Sequence, residues 1–205
     1  MAYAAVGAAV GAVLLIAPQP PDFGGALVMP TYTYAPTPPP NAASSTDATI
    51  DPSPSKVALP VPEGYRRVAG PGGLVTTVPN DWVITRSTGP GAMQATDPTD
   101  PTRFVRYGGA AAPPVDLVLS HVDYEGRFAA GKTGFTRLSL GTTTYHGVPA
   151  VDWEFQHDGT TGRRHVHSMY WRVNGVEYFL YAASNTDRWA DTEAVYHAMI
   201  DNASP

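Results

Sequence analysis

The stretch that decides the fold is Arg164–Ala183, RHVHSMYWRVNGVEYFLYAA. Its centre, Asn174-Gly175, is the pair that a two-residue type I′ turn needs, because both central residues must hold positive φ. The turn fixes a register. Val173 pairs with Val176, Trp171 with Tyr178, Met169 with Leu180 and His167 with Ala182 on one face. Arg172 with Glu177, Tyr170 with Phe179 and Ser168 with Tyr181 make the other. Both faces are largely apolar or aromatic, so the hairpin belongs inside a sheet that is covered on both sides.

Working outward, short β-rich runs alternate with turn residues. Gly64–Val68, Leu74–Val78, Trp82–Arg86, Ala92–Ala95 and Arg103–Tyr107 read as strands before the hairpin, with Leu138–Tyr145 and Ala150–Gln156 closer to it. Two stretches have helical spacing. The first opens at Pro114 and places Val115, Val118, Leu119 and Val122 together. The second, Thr186–Ile200, aligns Trp189, Val195 and Met199, with Ser184–Thr186 available as caps. The expectation is an α+β domain: an α/β/α sandwich on a mainly antiparallel sheet, over residues 63–205.

The residues before it differ in kind. Ala2–Ala17 is apolar and uncharged, and Pro18 ends it. As a helix it would span roughly 24 Å, short of the hydrocarbon core. Residues 1–17 therefore read as a signal or anchor segment, and an apolar helix is expected there. Residues 18–62 are rich in Pro, Ser and Thr, and Lys56 is the first basic residue of the chain. Such a composition buries too little apolar surface to offset ordering, so this segment is expected to be a disordered linker.

Composition narrows the function. The 205-residue chain has no cysteine, which removes disulfides, thiolate chemistry and a lipobox. Its net charge of −5, with Lys and Arg scattered, argues against nucleic acid as a partner. Gly126–Thr133 (GRFAAGKT) matches the phosphate-loop pattern, but helix precedes it and loop then strand follow, the reverse of what that loop requires. No nucleotide is expected.

His165 and His167, two apart on a strand, share a side, a spacing metal sites use. His157, Asp152 or Glu154 would supply a third ligand. Pairing the two strands through the Asp158–Gly162 loop sets Trp153 beside His167 and Phe155 beside His165. That buries the histidines among Trp153, Phe155, Met169 and Trp171 and turns Asp152 and Glu154 away. Asp152 and Glu154 also fail as a glycosidase pair, and neither G-x-S-x-G nor H-E-x-x-H occurs. No catalytic, cofactor or metal residue is assigned, and the domain is not expected to be an enzyme.

The order GYRRV, GGLVTTVPNDWVI, RFVRYGG, GVPAVDWEF and RRHVHSMYWRVNGVEYFLYAAS, from about Glu63 to Asn202, resembles the PsbP-like, LpqN-like α/β/α domains of bacteria. Those domains hang from a membrane helix by a Pro/Ser/Thr linker and are sometimes joined to receptor Ser/Thr kinases. The resemblance implies a non-catalytic binding or sensing module on the extracytoplasmic side of the cell membrane, or secreted. Its partner would be a protein or a cell-envelope ligand, and the membrane contact would run through the N-terminal segment. Exposed aromatics such as Trp82, Tyr124 or Tyr145 are the candidate contact residues. The alternatives are a passive envelope protein and a metal-dependent enzyme or sensor built on His165 and His167.

Overall fold

The computed structural model describes residues 60–205, so the apolar segment and most of the Pro-rich linker lie outside the described residues. Among those described, the elements are β1 Tyr65–Ala69, β2 Val75–Pro79, β3 Val83–Arg86, β4 Ala92–Thr96, β5 Phe104–Ala111, α1 Leu117–Ala130, β6 Thr136–Tyr145, β7 Val148–Gly159, β8 Gly162–Val173, β9 Val176–Asn185 and α2 Trp189–Asp201. No helix among them is long and apolar enough to cross a membrane.

β8 and β9 meet at Asn174-Gly175, whose φ values of 51° and 77° are those of a type I′ turn. Each pair expected from that turn is present, from Val173 with Val176 to His167 with Ala182. The hairpin sits inside a seven-stranded antiparallel sheet of order β3-β4-β5-β9-β8-β7-β6, and β1 and β2 form a separate two-stranded ribbon.

The sheet has two unlike faces. On the first, α2 and the β1–β2 ribbon seal a core of Leu74, Val78, Val105, Tyr107, Trp171, Leu180, Tyr196 and Met199. The ribbon is tied to α2 through its threonines: the Thr76 hydroxyl donates to the Met199 carbonyl at 2.9 Å and that of Thr77 to Ala198 at 3.0 Å. On the second face, α1 packs over β6 and β7, where Trp153, Phe155, Val166 and Ala183 form a smaller core. With a helix on either side, the architecture is the expected α/β/α sandwich.

Three local expectations fail. α1 begins at Leu117 rather than Pro114, because Asp116 caps it, accepting from the Val118 and Leu119 amides at 2.9 and 3.0 Å. The apolar stripe read from sequence also faces out: Leu119 and Val122 of α1 are exposed, as is Val115 just before it, and the buried residues of the helix are His121 and Glu125. Glu125 turns inward because it has partners there, the Trp153 indole at 3.0 Å and the Arg137 guanidinium at 2.7 Å from Nε. Finally, α2 follows a 3-10 turn at Thr186–Arg188 and has no side-chain cap, since the Thr186 hydroxyl donates to the Arg163 carbonyl instead.

Candidate functional site

The β7–β8 register corrects the expectation about the histidines. Gly159 pairs with Gly162, so the turn contains only Thr160 and Thr161, one residue fewer than the longer loop assumed from sequence. A one-residue shift sends every side chain to the opposite face. Glu154 therefore lies beside His167 and Gln156 beside His165, while Trp153 and Phe155 go to the other side with Ser168 and Val166. Asp152 and Glu154 do not turn away; they share the histidines' face.

What results is a ladder of two histidine–carboxylate hydrogen bonds. His165 Nε2 stands 2.6 Å from Glu154 Oε1, and His167 Nε2 stands 2.6 Å from Asp152 Oδ2. α2 closes over them: the Trp189 ring stacks on His165 at 3.9 Å between centroids, and Tyr196 lies 4.5 Å from His167. Two ligands of one tetrahedral zinc would stand about 3.3 Å apart, so 2.6 Å is direct hydrogen bonding with no ion between. Among the described residues no cluster of three His, Asp or Glu is arranged to hold a metal. His157 is on the opposite face, with its ring 5.8 Å from Phe128. The ladder pins α2 to the sheet.

The second face is different because α1 covers only its β6–β7 end. Between α1, the floor of β5, β9 and β8, and the β3–β4 loop at Ser87–Pro90 runs an open cleft of about 470 Å³. That is within the usual size of small-molecule sites. Tyr170, Phe179 and Tyr181 line it from the sheet, Tyr124 and Phe128 from the helix, and Trp153 and Phe155 from below. The loop that forms one wall is held close by glycine. At Gly108 φ is +154°, and a Cβ there would collide with the Gly91 carbonyl. Only glycine lets β5 approach the loop so closely.

The polar groups of the cleft are few. Arg106 projects from β5 and lies over two rings, 4.9 Å from the Phe104 centroid and 5.7 Å from that of Tyr181. Its Nε donates to Gln94 Oε1 at 2.8 Å, and Gln94 is in turn fixed by donating to Thr96 at 2.9 Å. Burial pushes the Tyr181 phenol up to about 12 despite Arg106 and Arg164 beside it, so it remains a hydrogen-bond donor at neutral pH. Glu177, the one carboxylate in the lining, is neutralised by Arg172 at 2.7 Å.

A serine and a histidine also line the cleft, Ser120 and His121, 3.4 Å apart. They are not a nucleophile and its base. His121 Nδ1 is 2.8 Å from the Leu117 carbonyl, which can only accept, so Nδ1 carries the proton and cannot take one from Ser120.

The sequence candidates divide. Tyr124 is 46% exposed and lines the cleft. Trp82 and Tyr145 are buried in the first core, where the Tyr145 hydroxyl donates to the Ile200 carbonyl at 2.6 Å. Gly126–Thr133 begins inside α1 and runs past its end at Gly131, so it forms no loop between a strand and a helix, and Lys132 rests over the Phe128 ring at 5.0 Å. The floor of the cleft was missed by the sequence reading. Its one signal was that the outer face of the Asn174-Gly175 hairpin is as aromatic as the inner.

This combination of a ribbon, a seven-stranded antiparallel sheet and one helix on each face defines the PsbP-like class of α/β/α sandwich. The solution structure of cyanobacterial PsbP (CyanoP) from Synechocystis sp. PCC 6803 superposes with a TM-score of 0.55 at 13% identity, over 69% of this chain and 92% of that one. A crystal structure from Bacteroides thetaiotaomicron gives 0.50 at 10% identity, over 69% and 48%. LpqN of Mycobacterium tuberculosis, which is involved in cell envelope biogenesis, gives 0.47 at 16%, over 69% and 92%. At these identities the likeness is one of fold. The chain belongs to the serine/threonine kinase C-terminal domain family, which matches residues 58–204. No curated protein matches the chain as a relative.

Proposed function

We propose that this domain is a non-catalytic binding or sensing module of the extracytoplasmic face, and that its binding site is the aromatic cleft between α1 and the sheet. The observation that carries the reading is the unequal covering of the two faces. One is sealed by α2 and the ribbon, whereas the other leaves an aromatic floor open over about 470 Å³. Aromatic walls with a few fixed polar groups are the chemistry of a recognition site, and the cleft's only serine–histidine contact is disarmed by the Leu117 carbonyl. The apolar residues 1–17 and the Pro-rich residues 18–62 support display from a membrane, and a domain of a kinase C-terminal family suits sensing.

The test is binding of the neutral fluorophore N-phenyl-1-naphthylamine to the full chain, compared with Ser120→Phe, which fills the cleft from α1. Thermal melts establish that the variant is folded. A saturable component present in the native chain and lost in Ser120→Phe is expected. Identical titrations in the two proteins would remove the cleft as the site.

A further inference from the structure

Arg106 gives the cleft a chemical preference. In a chain with 18 acidic and 13 basic residues, half-buried guanidinium groups have carboxylates to choose from, and Arg103 and Arg172 each take one. Arg106 does not. Among the described residues no carboxylate stands within ion-pair distance of it, and its one side-chain hydrogen bond is from Nε to the neutral Gln94. Four of its five N–H donors are left for something else. The Gln94–Thr96 relay holds the group in place, so it is organised before any ligand arrives. Arg164 stands on the same ring, 5.5 Å from the Phe104 centroid. Among the described residues no carboxylate stands within ion-pair distance of it either, and it bonds the Thr102 carbonyl and Asn185 Oδ1.

A partly desolvated cation without a counter-charge is costly, and the Phe104 and Tyr181 rings offset only part of that cost. The paired carboxylate, Glu177, does not oppose an anion at Arg106. It lies four residues further along the sheet, since Arg106 pairs with Tyr181 and Ala110 with Glu177, a separation of roughly 13 Å at strand rise.

We infer that the cleft takes a flat, anionic small molecule, its carboxylate, phosphate or sulfonate held by Arg106 and its body lying against Tyr181, Tyr170 and Phe179. This rests on the cleft being the binding site. The aromatic floor supplies affinity for the flat body, and the guanidinium, matched in geometry to a two-oxygen anion, supplies the discrimination.

Two fluorophores that differ in one sulfonate separate the two claims: 8-anilino-1-naphthalenesulfonate and neutral N-phenyl-1-naphthylamine. Each is titrated into the full chain, Arg106→Gln, Arg106→Lys and Ser120→Phe, and the component lost in Ser120→Phe is counted as cleft binding. The sulfonate should bind the native chain at least about ten-fold more tightly than it binds Arg106→Gln. Arg106→Lys should retain part of that affinity and its salt dependence, and the neutral probe should be indifferent to both. If the cleft component is present but Arg106→Gln leaves the sulfonate unaffected, the anion preference is wrong and the cleft stands. If neither probe has a cleft component, the site itself is wrong.

Discussion

Placing a carboxylate rather than a leucine on the inner side of α1 can be tested directly. Glu125 is 3% exposed, and its carboxylate accepts from the Trp153 indole and the Arg137 guanidinium. In Glu125→Ala the buried indole N–H loses its acceptor, which costs about 1–3 kcal/mol. The Arg137 side contributes little more, because that side chain is 54% exposed and water replaces the lost partner. A net loss of about 2 kcal/mol follows, equal to about 1 M in the urea midpoint if the slope is about 2 kcal/mol/M. Leu119, 69% exposed, should accept Glu with a change inside about 0.5 kcal/mol. Urea denaturation of both variants, followed by Trp fluorescence and far-UV circular dichroism, measures both. A neutral Glu125→Ala together with a Leu119→Glu loss of 2 kcal/mol or more would mean that the helix is rotated, and would close the cleft as described.

Other outcomes follow from the same structure. At Asp97, burial disfavours the charge, but the Thr99 hydroxyl and amide, Arg103 and the Asp100 amide outweigh it and hold the carboxyl below its usual range. The stability this adds is complete above the unfolded carboxylate range, near 4, and fades as pH falls through the lower folded value. Asp97→Asn should therefore melt lower than the native chain at pH 7, with the gap shrinking below about pH 4; a gap constant from pH 7 to pH 3 would refute the linkage. Zinc added to the full chain should give no saturable heat that is lost in His165→Ala or His167→Ala, because each imidazole is already hydrogen bonded to a carboxylate. A stoichiometric, histidine-dependent heat would revive the metal reading.

The strands were legible because their signals are local. Each predicted run, from Gly64–Val68 to Val176–Ala183, overlaps an observed strand with ends no more than four residues apart, and Asn174-Gly175 carried its register in two letters. The β7–β8 turn has no such pair. Thr160-Thr161 between Gly159 and Gly162 fits a two- or a three-residue connection from sequence, and the choice decides which residues join the histidines. α1 misled for a different reason. Two stripes of this stretch are partly apolar at helical spacing, Val115, Leu119 and Val122 on one and Leu117, Tyr124 and Phe128 on the other. Only the partners waiting on β6 and β7 select the second. The candidate site depended on both of these non-local choices, so of its residues only Tyr124 was named from sequence as a contact residue.

The most direct test of the binding site is two-dimensional amide NMR of the ¹⁵N-labelled full chain during titration with N-phenyl-1-naphthylamine. Shifts are expected at the Trp153 indole, the amides of Ser87, Thr88, Gly89, Gly91 and Ala92, and Tyr181, with the Trp189 indole and α2 unmoved. Shifts centred on Trp189 and α2, or none among residues 60–205, would contradict it.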